Sequence, residues 1–175
     1  MSLTSDLQQI HLDLGIGPKY TAATRLVRCE QPTLSDLEVV AIDLEGRPFV
    51  LMRAAAVEWR RLCQAAGRDG VMVKPFSGFR SYVHQKKLIE RQLTAGRGLD
   101  EILTQIAIPG YSEHHTGRAV DLYSTEDLIL KESFELTPAF SWLMTNADRF
   151  GFSLSYPRGN ELGIIYEPWH WCFNR

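Results

Sequence analysis

Apolar residues along this chain fall into short extended runs separated by longer stretches with a helical repeat. From Leu37 to Leu44, LEVVAIDL is rich in β-branched residues and predicts a short strand, closed by the turn Glu45-Gly46-Arg47-Pro48. From Phe49 to Ala66, the residues Leu51, Ala55, Val57, Trp59, Leu62 and Ala66 give one broad apolar face, which predicts a helix stopped by Gly67 and Gly70. Val71 to Phe79 is strand-like, with Pro75 pointing to a sheet edge or a break. Ser81 is placed to cap a helix running to about Leu93, and LDEILTQIA predicts a short helix after it. Gly117 to Leu122 predicts a strand, and Pro138 to Phe150 a helix with proline in its first turn and Gly151 past its end. Phe152–Tyr156 and Gly163–Tyr166 are strand candidates, and Trp169 to Phe173 is an aromatic, extended run. The first thirty residues sustain no period and predict irregular structure or an arm packed on the domain.

Short strands interleaved with helices, without Gly-rich phosphate loops or regular βαβ spacing, predict an α+β fold with a small antiparallel sheet flanked by helices. The 175 residues suit a single domain, read as an N-terminal extension over 1–36 packed on a domain over 37–175. Apolar content of 45% is enough for a proper core. A net charge of −2 gives no basic field for nucleic acid or an anionic membrane. No window reaches the length of a membrane span, and no secretory signal is visible at the N-terminus. Three scattered cysteines, Cys29, Cys63 and Cys172, with no CxxC pair, exclude a disulfide framework and a thiolate zinc knuckle.

Candidate chemistry is concentrated in two stretches. In GYSEHHTGRAVDLY, His114 and Asp121 stand on either side of a glycine turn that leads into a strand. Alternation puts Asp121 on the face opposite Val120 and Leu122. A carboxylate buried there is costly unless a metal, an arginine or a set of backbone donors offsets it. The second stretch, Glu167-Pro168-Trp169-His170, adds another histidine and a carboxylate three residues before it. His114, Asp121 and His170 satisfy the three-ligand requirement of a catalytic zinc site with one position open to water. Pro168 excludes a regular helix, and in an ideal strand residues 167 and 170 face opposite sides, so a twist or bulge is needed to bring both to one metal. Glu167 would then stand as a base toward zinc-bound water. Arg80, at a strand-to-helix junction in SGFRS, is placed to face a carboxylate or a developing oxyanion.

Taken together, SGFRSYVHQ, GYSEHHTGRAVDL, ADRFGFSLSYP and YEPWHW resemble, in order, the motifs of the VanY-type D-alanyl-D-alanine carboxypeptidases. These belong to the LAS group of zinc peptidases, which shares the hedgehog-like fold. The likeness covers roughly residues 50–173. It implies Zn2+ held by His114, Asp121 and His170, with Glu167 as general base and Arg80 polarising the scissile carbonyl. It further implies that Ser112 and Gln85 help Arg80 seat the terminal D-residue of a peptidoglycan stem peptide. The implied reaction is hydrolysis of the C-terminal D-Ala-D-Ala amide. L,D-carboxypeptidase or endopeptidase specificity, and a non-catalytic binding module on the same fold, are the alternatives. Such a substrate would favour a periplasmic or cell-surface location. Two positions depart from the family: His115 where glutamine is common, which adds a hydrogen-bond donor behind the metal ligands or a competing ligand, and Cys172 where arginine is often found.

Overall fold

The computed structural model describes residues 4–43, 45–124 and 130–175. Its centre is a four-stranded antiparallel sheet in the order β3-β4-β6-β5, formed by β3 (Lys74–Ser77), β4 (Ala119–Tyr123), β5 (Phe152–Leu154) and β6 (His170–Phe173). Pro75 lies in the edge strand β3, where its missing N–H costs no ladder bond on the open side. A separate hairpin pairs β1 (Leu37–Ile42) with β2 (Pro48–Met52), with an irregularity between Val39 and Ala41. Leu44 of the predicted strand lies outside the described residues.

One face of the sheet carries the main core. Val120 and Leu122 of β4 and Trp171 and Phe173 of β6 pack with Phe49, Trp59, Leu62 and Trp142, all buried. Trp59, Leu62 and Ala66 come from α3 (Arg53–Arg68), whose buried positions recur at helical spacing. The expected helix over 49–66 therefore starts four residues later than its apolar pattern suggests. Phe49 to Met52 pair with β1 as strand before the chain turns into α3. On the same side, α6 (Pro138–Asn146) begins with the Thr137 hydroxyl accepting from the Phe140 N–H at 3.2 Å, and a 3-10 turn carries the chain on to Gly151.

The N-terminal stretch is not irregular. It forms two short helices, α1 (Ser5–Asp13) and α2 (Pro18–Ala23). Leu7, Ile10 and Leu14 do lie at i, i+3 and i+7, but Gly15 ends the pattern before a period can establish itself. Ile10, Leu14 and Ile16 pack on Ile89 of α4 (Tyr82–Thr94), Ile102 of α5 (Leu99–Ile102) and Ile108. Ser81 caps α4, its hydroxyl accepting from the His84 N–H at 3.1 Å. Gly163 to Tyr166 is not a strand, although the Ile165 N–H donates to the Thr104 carbonyl at 2.9 Å. An isolated bond of this kind ties two loops without founding a ladder.

The opposite face of the sheet is where the polar residues gather. Asp121 and His170 are register partners on β4 and β6, both buried, on the side away from Val120 and Trp171. Helix α1 and the segment at Cys29 brace the loop that leads to this face. The His11 ring nitrogen Nε2 lies 2.7 Å from the Pro109 carbonyl, the Cys29 N–H donates to Gly110 at 2.8 Å, and Leu7 fills the space a side chain at Gly110 would need.

Candidate metal centre

His114 enters the site from a 3-10 turn (Glu113–Thr116) that ends at Gly117 in the left-handed conformation, φ 68°. A Cβ at Gly117 would lie 2.9 Å from the Met52 nitrogen, so glycine is required by space as well as by dihedral. The His114 Nδ1 lies 2.7 Å from the Gly78 carbonyl, which fixes the ring and leaves Nε2 3.0 Å from Asp121 Oδ2. Gly78 itself passes so near β2 that a Cβ there would meet the Val50 carbonyl at 2.4 Å. His170 turns its Nδ1 to the other oxygen, Asp121 Oδ1, at 2.9 Å. The ligand-capable atoms of His114, Asp121 and His170 all lie within 4.8 Å of one another, and all three residues are buried.

The electrostatics follow from this packing. Burial alone would raise the Asp121 carboxyl, but the two imidazoles facing it hold it well below the usual carboxylate range. Burial lowers His114 toward the neutral form that a metal requires. Burial acts in the same direction on His170, yet hydrogen bonds to the Asp121 and Glu113 carboxylates outweigh it and raise the ring to about 10. The two rings thus shift in opposite directions, His114 toward the neutral form and His170 toward a protonated form held between two carboxylates. A divalent cation at the focus would take the place of that proton on Nδ1. One oxygen and two imidazole nitrogens, with the outward nitrogen of each ring already engaged, form a donor set that fits zinc.

Glu167 reaches the same centre through a turn. The His170 N–H donates to the Glu167 carbonyl at 3.0 Å, so residues 167–170 fold back, and Glu167 Oε2 lies 3.9 Å from His170 Nδ1. This is the departure from an extended strand that bringing residues 167 and 170 to one side requires. Burial, the largest influence, pushes the Glu167 carboxyl up to about 7. Arg80 closes the other side. Its guanidinium donates to Gln85 Oε1 at 3.1 Å, to Ser77 Oγ at 3.0 Å and to Asp121 Oδ2 at 3.3 Å. Gln85 is in turn fixed by donating to the Ala107 carbonyl at 2.8 Å. Ser112, Gln85, Arg80 and Glu167 join His114, Asp121 and His170 in lining one open cavity of about 550 Å³.

Every residue singled out in the sequence therefore lines this cavity, apart from His115 and Cys172. His115 is fully buried but is not one of the three converging residues. Its Nδ1–H donates to the Arg80 carbonyl at 2.6 Å while the Arg80 N–H donates to His114 at 3.1 Å, so this histidine clips the arginine's backbone in place. Burial pushes its ring down to about 4, which keeps it neutral. Cys172 is buried on β6, opposite Ala119; burial first, then the Glu113 carboxylate, push its thiol up. Two neighbours had no sequence signal of their own. Glu113 accepts from His170 Nε2 at 2.9 Å, and the Tyr156 ring lies 4.8 Å from the His170 ring at 37°.

Two histidines and an aspartate that can hold one cation, with a raised carboxyl and a buried guanidinium beside it, define a mononuclear metal site of the type metal-dependent hydrolases use. The chain belongs to the VanY D-alanyl-D-alanine carboxypeptidase family, whose profile matches residues 49–175. It is 33% identical to YodJ of Bacillus subtilis (strain 168) over 123 residues, 69% of this chain and 45% of that protein. It is 32% identical over 128 residues to the bifunctional D-Ala-D-Ala dipeptidase and carboxypeptidase VanXYC of Enterococcus gallinarum, covering 70% of this chain and 66% of that one. The chain thus spans less than two thirds of the length of these curated relatives.

Among solved structures, the LdcB LD-carboxypeptidase is similar with a TM-score of 0.72 and 30% identity, over 82% of this chain and 69% of that one. A mutant of the D,D-pentapeptidase VanY in complex with Zn(II) gives 0.62 and 26%, over 85% of both chains. VanYB in complex with D-Ala-D-Ala gives 0.62 and 28%, over 81% of this chain and 80% of that one. The α+β fold with its antiparallel sheet is the fold of this family.

Proposed function

We propose that this chain is a zinc-dependent D,D-carboxypeptidase that removes the terminal D-alanine from peptidoglycan stem peptides. The observation that carries the reading is the convergence of His114, Asp121 and His170 with Glu167 and Arg80 in one cavity. The Zn(II) and D-Ala-D-Ala complexes of the VanY relatives support both the metal and the substrate class. Zinc held there would supply a Lewis acid and an acidified water.

The chain's own residues supply the rest. Glu167, whose buried carboxyl has a proton affinity suited to neutral pH, accepts the proton of the attacking water and returns it to the departing amine. Arg80 donates to the scissile carbonyl oxygen as it gains charge; burial makes that interaction stronger than it would be in water. Ser112 and Gln85 seat the terminal residue beside Arg80. Residues 37–175 would carry the reaction, with residues 1–36 as an extension bracing the loop before His114. A binding module has no need of a base at Glu167, which argues against a purely non-catalytic role.

A second reading, L,D-carboxypeptidase, is favoured by the higher structural similarity to LdcB. Mass spectrometry of defined stem peptides after incubation with the zinc-loaded protein separates the two. Loss of one alanine from a pentapeptide, with the tetrapeptide left intact, is the expected result. Trimming of the tetrapeptide alone would transfer the assignment to the L,D class. An absence of cleavage in both would overturn the enzymatic reading.

A further inference from the structure

The geometry points to Glu113 as the residue that positions His170 for the metal. This inference rests on the zinc site proposed above and extends it to the partner behind one ligand. A neutral imidazole has one N–H and one lone pair, so a ring that binds through Nδ1 must carry its proton on Nε2. His170 presents Nδ1 to the Asp121 side, and its Nε2 lies 2.9 Å from Glu113 Oε2. An acceptor at Nε2 selects the tautomer whose lone pair faces the metal, fixes the ring plane and makes the ligand more basic.

The two histidines are held by different means. His114 presents the opposite nitrogen, Nε2, and its Nδ1 is engaged by the Gly78 carbonyl, a backbone atom that no substitution removes. His170 depends on a side chain, supplied by the same 3-10 turn that carries His114. Glu113 therefore ties the β6 ligand to the turn of the first ligand. Its side chain retains 30% exposure, more than any of the three ligands, so a core-packing role does not account for it.

The test uses the full chain, stripped of metal and titrated with zinc against a chromophoric chelator. Wild type, Glu113→Gln and Glu113→Ala are compared, and NMR of the zinc-loaded forms observes the imidazole N–H protons. Wild type is expected to take up zinc with a hydrogen-bonded Nε2–H on His170. Glu113→Ala is expected to bind zinc about 10–100-fold more weakly and to lose that signal. Glu113→Gln, which keeps a neutral acceptor, is expected to lose less affinity and to shift the proton upfield. Equal zinc affinity in wild type and Glu113→Ala would overturn the inference while leaving the zinc site standing. Should the alanine variant not fold, an unmoved Nε2–H resonance in Glu113→Gln would overturn it equally. A wild-type protein that takes up no zinc would remove the proposed function and this inference together.

Discussion

The two faces of the central sheet are built from the same strands by opposite rules. On one face Val120, Leu122, Trp171 and Phe173 are buried among other apolar side chains, where the stabilising effect is removal of surface from water. On the other, Asp121 and His170 are equally buried, one residue away in each strand, and their polar atoms must all be answered. The apolar face tolerates many sequences of similar volume. The polar face is specified atom by atom, through Gly78, Ser77, Glu113 and Arg80. A one-residue slip of β4 would exchange the two sets, so the core also serves as the device that keeps Asp121 in register with His170.

The largest effect on this contrast is expected from removing its polar centre. Asp121→Ala takes away the carboxylate that both imidazoles and Arg80 face. It should bring zinc content, read by elemental analysis, and peptide hydrolysis down to background while leaving the apolar face intact. Arg80→Ala should retain zinc but lower kcat by about 10²–10³-fold, the usual effect of losing one donor to a developing oxyanion. Steady-state kinetics on a stem pentapeptide would check it.

Substitution on the opposite face should do the reverse. Leu122→Ala should cost about 2–5 kcal/mol in denaturant unfolding, with zinc content per folded molecule unchanged. Loss of zinc without loss of stability would break the division between the faces. A further effect is a pH dependence confined to the polar side. In the metal-free protein His170 is raised from 6.5 to about 10, so the folded form binds the extra proton between those values. That contribution to stability is fully present below about pH 6.5 and is lost as pH rises through about 10. Zinc must displace the same proton, so its affinity should climb over that window. Thermal unfolding and zinc titration across pH 6–10 would show the two trends running in opposite directions.

The two faces also differed in how much the sequence disclosed. Alternation in Ala119–Tyr123 assigned Asp121 to the face opposite Val120 and Leu122, and Pro75 marked the edge strand; both are local properties that the fold does not override. The motif likeness singled out His114, Asp121, His170, Glu167 and Arg80, which the structure brings to one cavity. The limits of α3 were not legible, because Phe49–Met52 satisfy a helical pattern and were diverted by pairing with β1. The N-terminal helices were too short to show a period, and Gly163–Tyr166 had strand composition without a partner strand. Glu113 and the clip from His115 to Arg80 depend on hydrogen bonds between segments 35 to 57 residues apart, which no local pattern encodes.

The most direct test is turnover by zinc-loaded Glu167→Gln, measured with its metal content on the same sample. The substitution keeps the shape of the side chain and removes the base. It is expected to retain about one zinc per chain and to leave the stem pentapeptide uncleaved. Turnover at the wild-type rate with zinc in place would contradict the assignment of Glu167 and the mechanism built on it.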